Sequence, residues 1–394
     1  MNGHHRFHQF ARLIFVWAIA LFGMVTGCSA GHATSPRRVG ISEKLDVGSA
    51  VVDADKKLAW YDARNLTIEG KGFTDTVSFY QRLPARAQKK ICKLLWTRST
   101  SSAGMAVRFV TNSRNVWVRW TLVNEKVELA QMPSTGINGV DLYVYLDGRY
   151  QWIGAGRPTG KLTAEKRLVG GMAEGLHEYM LYLPLYNEAA SVEIGVACDA
   201  VIGKPLPRPA ERARPICFYG TSIIHGACAS RPGMTMVAMV GRRLDRPVIN
   251  LGFGGAGEME MEIAELLAEL DVAVYVLDCL PNMTIKMMQD RLKPFVMYLR
   301  EAKPDTPIVL VESVFFPARD MIEGAGAKHA RKNALLKTFY ADLKARGVTK
   351  LHYVPGDNLL GNDGEGTVEG VHPSDLGFYR FADAMEPVLR KIVE

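Results

Sequence analysis

Five short apolar runs, at residues 216–219, 248–251, 272–277, 308–311 and 351–354, punctuate the second half of the chain. Helical segments are expected between and after them, at 234–244, at 284–302, at 327–346 and from about 374 onward. Ile263, Leu266, Leu267 and Leu270 mark another by their spacing. Short buried strands that alternate with helices leave few architectures open, because parallel strands need crossovers and helical crossovers cover the sheet on both faces. Residues 216–394 are therefore expected to form an α/β domain, a doubly wound parallel sheet with ligand chemistry at the carboxyl ends of its strands.

The first half has a different period. Val116, Val118, Trp120 and Leu122 alternate on one face, and Leu142, Val144 and Leu146 alternate against Asp141, Tyr143, Tyr145 and Asp147. Asp147-Gly148 marks a tight hairpin before Arg149-Tyr150-Gln151-Trp152. Residues 50–202 thus read as a β-sandwich of jelly-roll type. Residues 203–215 hold four prolines and are expected to be an unpacked connector. Tyr143, Tyr145 and Trp152 suit either stacking on sugar rings or burial in the sandwich.

The amino terminus bears on how charge and cysteine content are interpreted. Arg6 and Arg12 precede an apolar run at 13–22 that is short for a bilayer span, and Val25-Thr26-Gly27-Cys28-Ser29 follows. This pattern resembles the lipobox of bacterial lipoproteins. The resemblance implies a signal peptide at 1–27, a lipid on Cys28, a tether at 28–49, and an exported protein anchored to a bacterial membrane. Ser29 implies the outer membrane in a Gram-negative source. Removal of residues 1–27 lowers the formal charge from +7 (48 basic, 41 acidic) to +5 (46 basic, 41 acidic). The remaining basic residues are scattered, which argues against a nucleic-acid partner. Cys92, Cys198, Cys217, Cys228 and Cys279 form no CxxC pair, and no His/Cys cluster has zinc-ligand spacing, so neither a metal nor a cofactor is expected. Cys217 and Cys279 lie in apolar runs and are expected to be buried.

Four loops at the expected strand ends carry reactive or polar groups. Gly220-Thr221-Ser222-Ile223 places a hydroxyl at a strand-to-helix turn. Glu369-Gly370-Val371-His372-Pro373 places an acid three residues before a histidine, a pair suited to deprotonating that serine. Between them lie a glycine loop, Asn250-Leu251-Gly252-Phe253-Gly254-Gly255, and Leu280-Pro281-Asn282, which offer backbone and amide donors for an oxyanion.

In these four blocks the chain resembles the SGNH/GDSL hydrolase superfamily. His372-Pro373-Ser374-Asp375-Leu376-Gly377 is similar to its last block, and Gly139-Val140-Asp141-Leu142-Tyr143 is similar to the GxDLY signature of a β domain found before such hydrolases. The resemblance implies Ser222 as nucleophile, His372 as general base and then acid, and Glu369 as the orienting acid. The oxyanion hole would comprise the Ser222 and Gly255 N–H groups and Asn282. Three positions depart from the family pattern. Thr221 replaces an aspartate, Leu280 stands where glycine is common and is expected to reshape the pocket, and Glu369 replaces the usual aspartate. Should Glu369 fall short, Asp375 or a backbone carbonyl is the expected substitute.

Several features have plainer readings. Ser222 suits an N-cap and Asn282 a cap for the following helix. His225 suits packing better than the pocket, and Met283, Met287 and Met288 suit the core. Glu258, Glu262, Glu265 and Glu269 suit a solvated helix face. Gly252-x-Gly254-x-x-Gly257 satisfies a dinucleotide fingerprint, with Asp278 on the next strand, but it is displaced from the first βα turn. The function expected is a metal-independent serine esterase that removes small acyl groups, chiefly acetyl, from carbohydrate. The alternatives are an esterase, lysophospholipase or thioesterase acting on another substrate, or a decayed carbohydrate-binding lipoprotein.

Overall fold

The structure, a computed structural model, describes residues 37–125, 127–314 and 325–394. The expected signal peptide, the lipidation site Cys28 and residues 28–36 of the expected tether lie outside the described residues. The N-terminal half contains strands β1 (Ile41–Lys44), β2 (Val51–Asp53), β3 (Leu58–Asp62), β4 (Thr67–Glu69), β5 (Ala106–Thr111), β6 (Asn115–Leu122), β7 (Val140–Leu146), β8 (Arg149–Gly156), β9 (Thr163–Gly170), β10 (His177–Tyr182), β11 (Ala189–Ala197) and β12 (Ile202–Pro205). Helices α1 (Lys93–Ser99) and α2 (Ser134–Ile137) interrupt them.

The strands make two antiparallel sheets, in the orders β1-β12-β5-β10-β7-β8, with β4 also on β5, and β2-β3-β11-β6-β9. As the alternation predicts, Val116, Val118, Trp120 and Leu122 face inward, with Leu142, Val144 and Leu181 on the facing sheet. Asp147 and Gly148 both adopt positive φ, 51° and 80°, in the hairpin that sets Leu146 against Arg149. Leu146 itself lies exposed at the strand end.

The C-terminal half follows a short helix α3 (Ala210–Ala213), and its sheet has the order β14-β13-β15-β16-β17, all parallel. The strands are β13 (Ile216–Gly220), β14 (Val248–Gly252), β15 (Val274–Asp278), β16 (Ile308–Val311) and β17 (Leu351–Val354). Helices α4 (Ser222–His225), α5 (Met236–Arg243), α6 (Met261–Glu269), α7 (Ile285–Met287), α8 (Lys293–Ala302), α9 (Ala325–Ala345) and α10 (Asp375–Val393) connect and close it. The chain runs from β13 to β14 on one side and returns to β15 on the other, so the topological switch point lies beside β13. The helix expected over 284–302 is broken: a π turn at Met288–Leu292 separates α7 from α8. Pro294 sits at the start of α8, and its missing N–H and bulky ring disturb the preceding turn.

The expected domain limits need correction. Residues 41–44, placed in the tether, pair with β12, and β12 begins the stretch expected to be an unpacked connector. Arg37 donates to Glu178 at 2.7 Å, Arg108 bridges Glu178 and Glu69 at 2.8 Å each, and Arg208 of the connector also bonds Glu69. Burial alone would raise the Glu178 carboxyl, yet the hydrogen bond from Arg37 and the charges of Arg108 and Arg37 bring it down to about 2.

Nor do the halves pack separately: Phe73, Leu83, Ala87 and Leu95 from the N-terminal half share one apolar core with Ile249, Leu251 and Phe253. Tyr143 and Tyr145 are likewise buried, with Tyr182 and Ala238 of α5. Asp141, the acid of the GxDLY-like block, is fully buried and accepts from Arg231 at 2.7 Å, Gly233 N–H at 3.0 Å and Trp152 Nε1 at 2.8 Å. Trp152 presents its ring at the surface.

Candidate active site

Strand β13 ends in Gly220, and α4 begins at once. Thr221, not Ser222, is the cap of α4: its hydroxyl accepts from Ile223 N–H at 3.3 Å, and its own N–H donates to Asp278 O at 3.3 Å. Ser222 is the first helical residue, so its side chain is free of capping duty. Ser222 Oγ lies 2.8 Å from His372 Nε2.

His372 approaches from the loop before α10. Val368 N–H donates to His372 O at 2.9 Å, which folds residues 368–372 into a tight turn and sets Glu369 opposite the imidazole. Glu369 Oε2 lies 2.9 Å from His372 Nδ1, and Oε1 accepts from the His372 N–H at 2.7 Å and the Val371 N–H at 3.2 Å. The extra methylene of glutamate is thus taken up by a carboxylate that also ties its own loop. Burial would raise the Glu369 carboxyl, but the His372 backbone and side-chain bonds hold it below its ordinary value. An ionised acceptor at Nδ1 places the imidazole proton there and leaves Nε2 to accept from Ser222. Asp375, the expected substitute, does not orient His372: it accepts from Ser230 N–H at 2.9 Å and from the Ser230 hydroxyl.

The two remaining loops flank Ser222. Gly255, at φ 76°, and Asn282 line the same cavity as Ser222 and His372. Asn282 Nδ2 donates to Ala256 O at 2.6 Å, which links the two loops and leaves the second amide hydrogen for a ligand. The glycines of the dinucleotide-like run serve close packing. A Cβ at Gly252 would stand 2.1 Å from His225 N, and one at Gly257 would stand 2.1 Å from Gly220 O. Leu280 does not reshape the pocket as expected, because its side chain is buried in the core. Its carbonyl and that of Pro281 accept from the buried ammonium of Lys332 at 2.9 and 3.1 Å, and burial lowers Lys332 to about 8.

His225 is buried behind the glycine loop, as packing predicts. It stacks on Tyr186 with centroids 4.0 Å apart, and its Nε2 lies 2.7 Å from Leu185 O. Its Nδ1 accepts from Gly254 N–H at 3.3 Å. Burial and the nearby Arg82 charge push it well below its ordinary value, so the ring is neutral, with its proton on Nε2. Met283 and Met288 are buried as expected. Glu262, Glu265 and Glu269 are exposed as a solvated face predicts, with Glu269 pairing with Arg86 at the surface, while Glu258 before α6 is half-buried and pairs with Arg291 at 3.6 Å.

The cavity around Ser222 holds about 440 Å³ and is walled by both halves, with Leu94, Arg98 and Tyr186 from the N-terminal one. Cys228, at φ 72°, was not singled out by sequence and lies beside Glu369 and His372. Its thiol, a Glu369 oxygen and a His372 nitrogen fall within 4.8 Å of one another, the one such trio of metal-ligand types among the described residues. The mutual bonds of Glu369, His372 and Ser222 already account for two of its members. Cys217 and Cys279 are buried and free as expected.

The arrangement can transfer a proton from Ser222 through His372 and hold developing negative charge, which is the equipment for acyl transfer. Residues 213–390 match the GDSL-like lipase/acylhydrolase family, and residues 58–202 match the family described as the N-terminus of SGNH-hydrolase-type esterases. The chain is similar to a structure described as a GDSL-like lipase from Bacteroides ovatus. Identity is 37% over 85% of this chain and 98% of that one, with a TM-score of 0.80. A salicylyl-acyltransferase from a tetracycline biosynthetic pathway is similar at 21% identity, over 87% and 96% of the two chains, with a TM-score of 0.66. A family two carbohydrate esterase from Clostridium thermocellum, in complex with cellohexaose, is similar at 17% identity, over 74% and 93%, with a TM-score of 0.50. The latter two share the fold. A search of curated proteins found no significant match.

Proposed function

Because the chain belongs to the GDSL-like lipase/acylhydrolase family, we propose that it is an exported, lipid-anchored serine esterase that removes small acyl groups, chiefly acetyl, from carbohydrate. The observation that carries the reading is the continuous chain of contacts from Ser222 Oγ to His372 Nε2 at 2.8 Å and from Nδ1 to Glu369 at 2.9 Å. Ser222 attacks the ester carbonyl while His372 takes its proton. The tetrahedral oxyanion is met by the Ser222 and Gly255 N–H groups and the Asn282 amide. His372 returns the proton to the departing sugar oxygen, then deprotonates water to release the acyl group. Throughout, Glu369 stabilises the imidazolium without taking its proton.

A cavity of about 440 Å³ has room for an acetyl group and the sugar ring that carries it. The carbohydrate part draws on the cellohexaose complex of the similar esterase, and the anchor draws on Cys28 in its lipobox-like setting. Glu369 reaches His372, which favours a working site over a decayed one. The purified protein is expected to release acetate from acetylated glycans and to prefer short over long p-nitrophenyl esters. Ser222→Ala should abolish release. Equal activity in that variant would overturn the mechanism, and a preference for long chains would overturn the substrate class.

A further inference from the structure

Among the described residues the buried guanidinium of Arg82 has no carboxylate partner. It donates instead to main-chain oxygens of the hydrolase half, Gly252 O at 2.7 Å and Asn250 O at 3.1 Å, and to Arg98 O. Burial lowers Arg82 to about 9, and its charge sits 4.9 Å from the Phe253 ring centroid. Next along, Arg98 of α1 donates through Nε to Gly254 O at 3.1 Å. Three alternate carbonyls, two at the end of β14 (250 and 252) and one in the loop just beyond it (254), are therefore held by two arginines from the other half of the chain.

The last of these contacts has a specific mechanical meaning. Gly254 C=O and Gly255 N–H belong to one planar trans peptide and point in opposite directions. Fixing the carbonyl fixes the aim of the N–H. The preceding peptide is fixed as well, because Gly254 N–H donates to the neutral His225 at 3.3 Å. A glycine pair would otherwise leave these planes free to turn. We propose that Arg98 is the positioning residue for the Gly255 oxyanion donor, so that the N-terminal half completes the catalytic apparatus. This rests on the esterase reading above, with Gly255 N–H meeting the oxyanion.

The test compares wild type with Arg98→Met, which keeps the aliphatic stem and removes the donor, and with Arg98→Lys, which keeps a donor on a stem of similar length. Removing one oxyanion donor typically lowers kcat about 10²–10³-fold. Arg98→Met is expected to lose about 10²-fold in kcat on p-nitrophenyl acetate, with KM within about twofold, and Arg98→Lys to recover part of it. Hydrogen exchange over residues 253–257 should quicken in Arg98→Met while β13 keeps its protection. Where Arg98→Met lowers the unfolding midpoint strongly, the same split between kcat and KM is read in Arg98→Lys. An active wild type with unchanged kcat in both variants overturns this inference and leaves the esterase reading intact. A loss confined to KM also overturns it. A wild type without esterase activity, or one matched by Ser222→Ala, removes both readings together.

Discussion

Asp278 closes β15 and is fully buried, and neither carboxyl oxygen has a hydrogen-bond partner among the described residues. Its neighbours on the same face of the strand, Val274 and Val276, are core residues. Burial raises its carboxyl from 3.8 to about 7. Between these values the folded chain keeps a proton that the unfolded chain has released. Stability therefore falls as pH rises through this window and levels off above about 7. A displacement of about three pH units corresponds to about 4 kcal/mol at most. Asp278→Asn has nearly the same shape and is neutral throughout, so its advantage over wild type should grow with pH. The expected gain is about 1 kcal/mol at pH 4.5 and up to about 4 kcal/mol at pH 8. Urea unfolding followed by tryptophan fluorescence at both pH values measures the two differences directly. Their comparison cancels the other titrating groups. A gain that is flat across pH, or a variant less stable than wild type at pH 8, would refute the reasoning.

Two further changes probe the site and the interface between the halves. Glu369→Gln keeps a carbonyl to accept from the loop N–H groups but sets an amide beside Nδ1, which disfavours the required tautomer. It should lower kcat by about 10²-fold or more with little change in unfolding midpoint, and an unchanged rate would move the orienting role elsewhere. Asp141→Ala strands Arg231 and the Gly233 N–H in a buried setting. It should destabilise the protein by about 3–5 kcal/mol, measured by denaturant titration, and a loss under about 1 kcal/mol would count against Asp141 as a tie between the two halves.

Much of this was legible because it depends on local pattern. The parallel strands announce themselves as apolar runs, and Ser222 at a strand-to-helix turn and His372 in the loop before α10 stand at the sheet's carboxyl edge, where the fold must place its chemistry. The Glu369 geometry depends on the turn closed by Val368 N–H and His372 O, which no side-chain pattern announces. Strands β1 and β12 were hidden for a related reason. Their edge is secured by Arg37 and Arg208 reaching Glu178 and Glu69, partners at least 139 residues away in sequence. Arg82, Arg98 and Lys332 looked like ordinary surface charge. Their partners are carbonyls, which every residue carries, so no pairing of opposite charges pointed to them.

The contact between Arg82, Arg98 and the glycine loop is addressed to main chain, which has a consequence for interchangeability. The oxygens at 250, 252 and 254 would be presented alike by any sequence tracing the same path. Side chains on this edge of the hydrolase half can thus diverge while the fit endures, whereas a one-residue insertion between 250 and 254 would put the carbonyls out of step with the two arginines. Chimaeras that join this N-terminal half to a distant hydrolase half should tolerate wide sequence difference there and fail on a change of loop length.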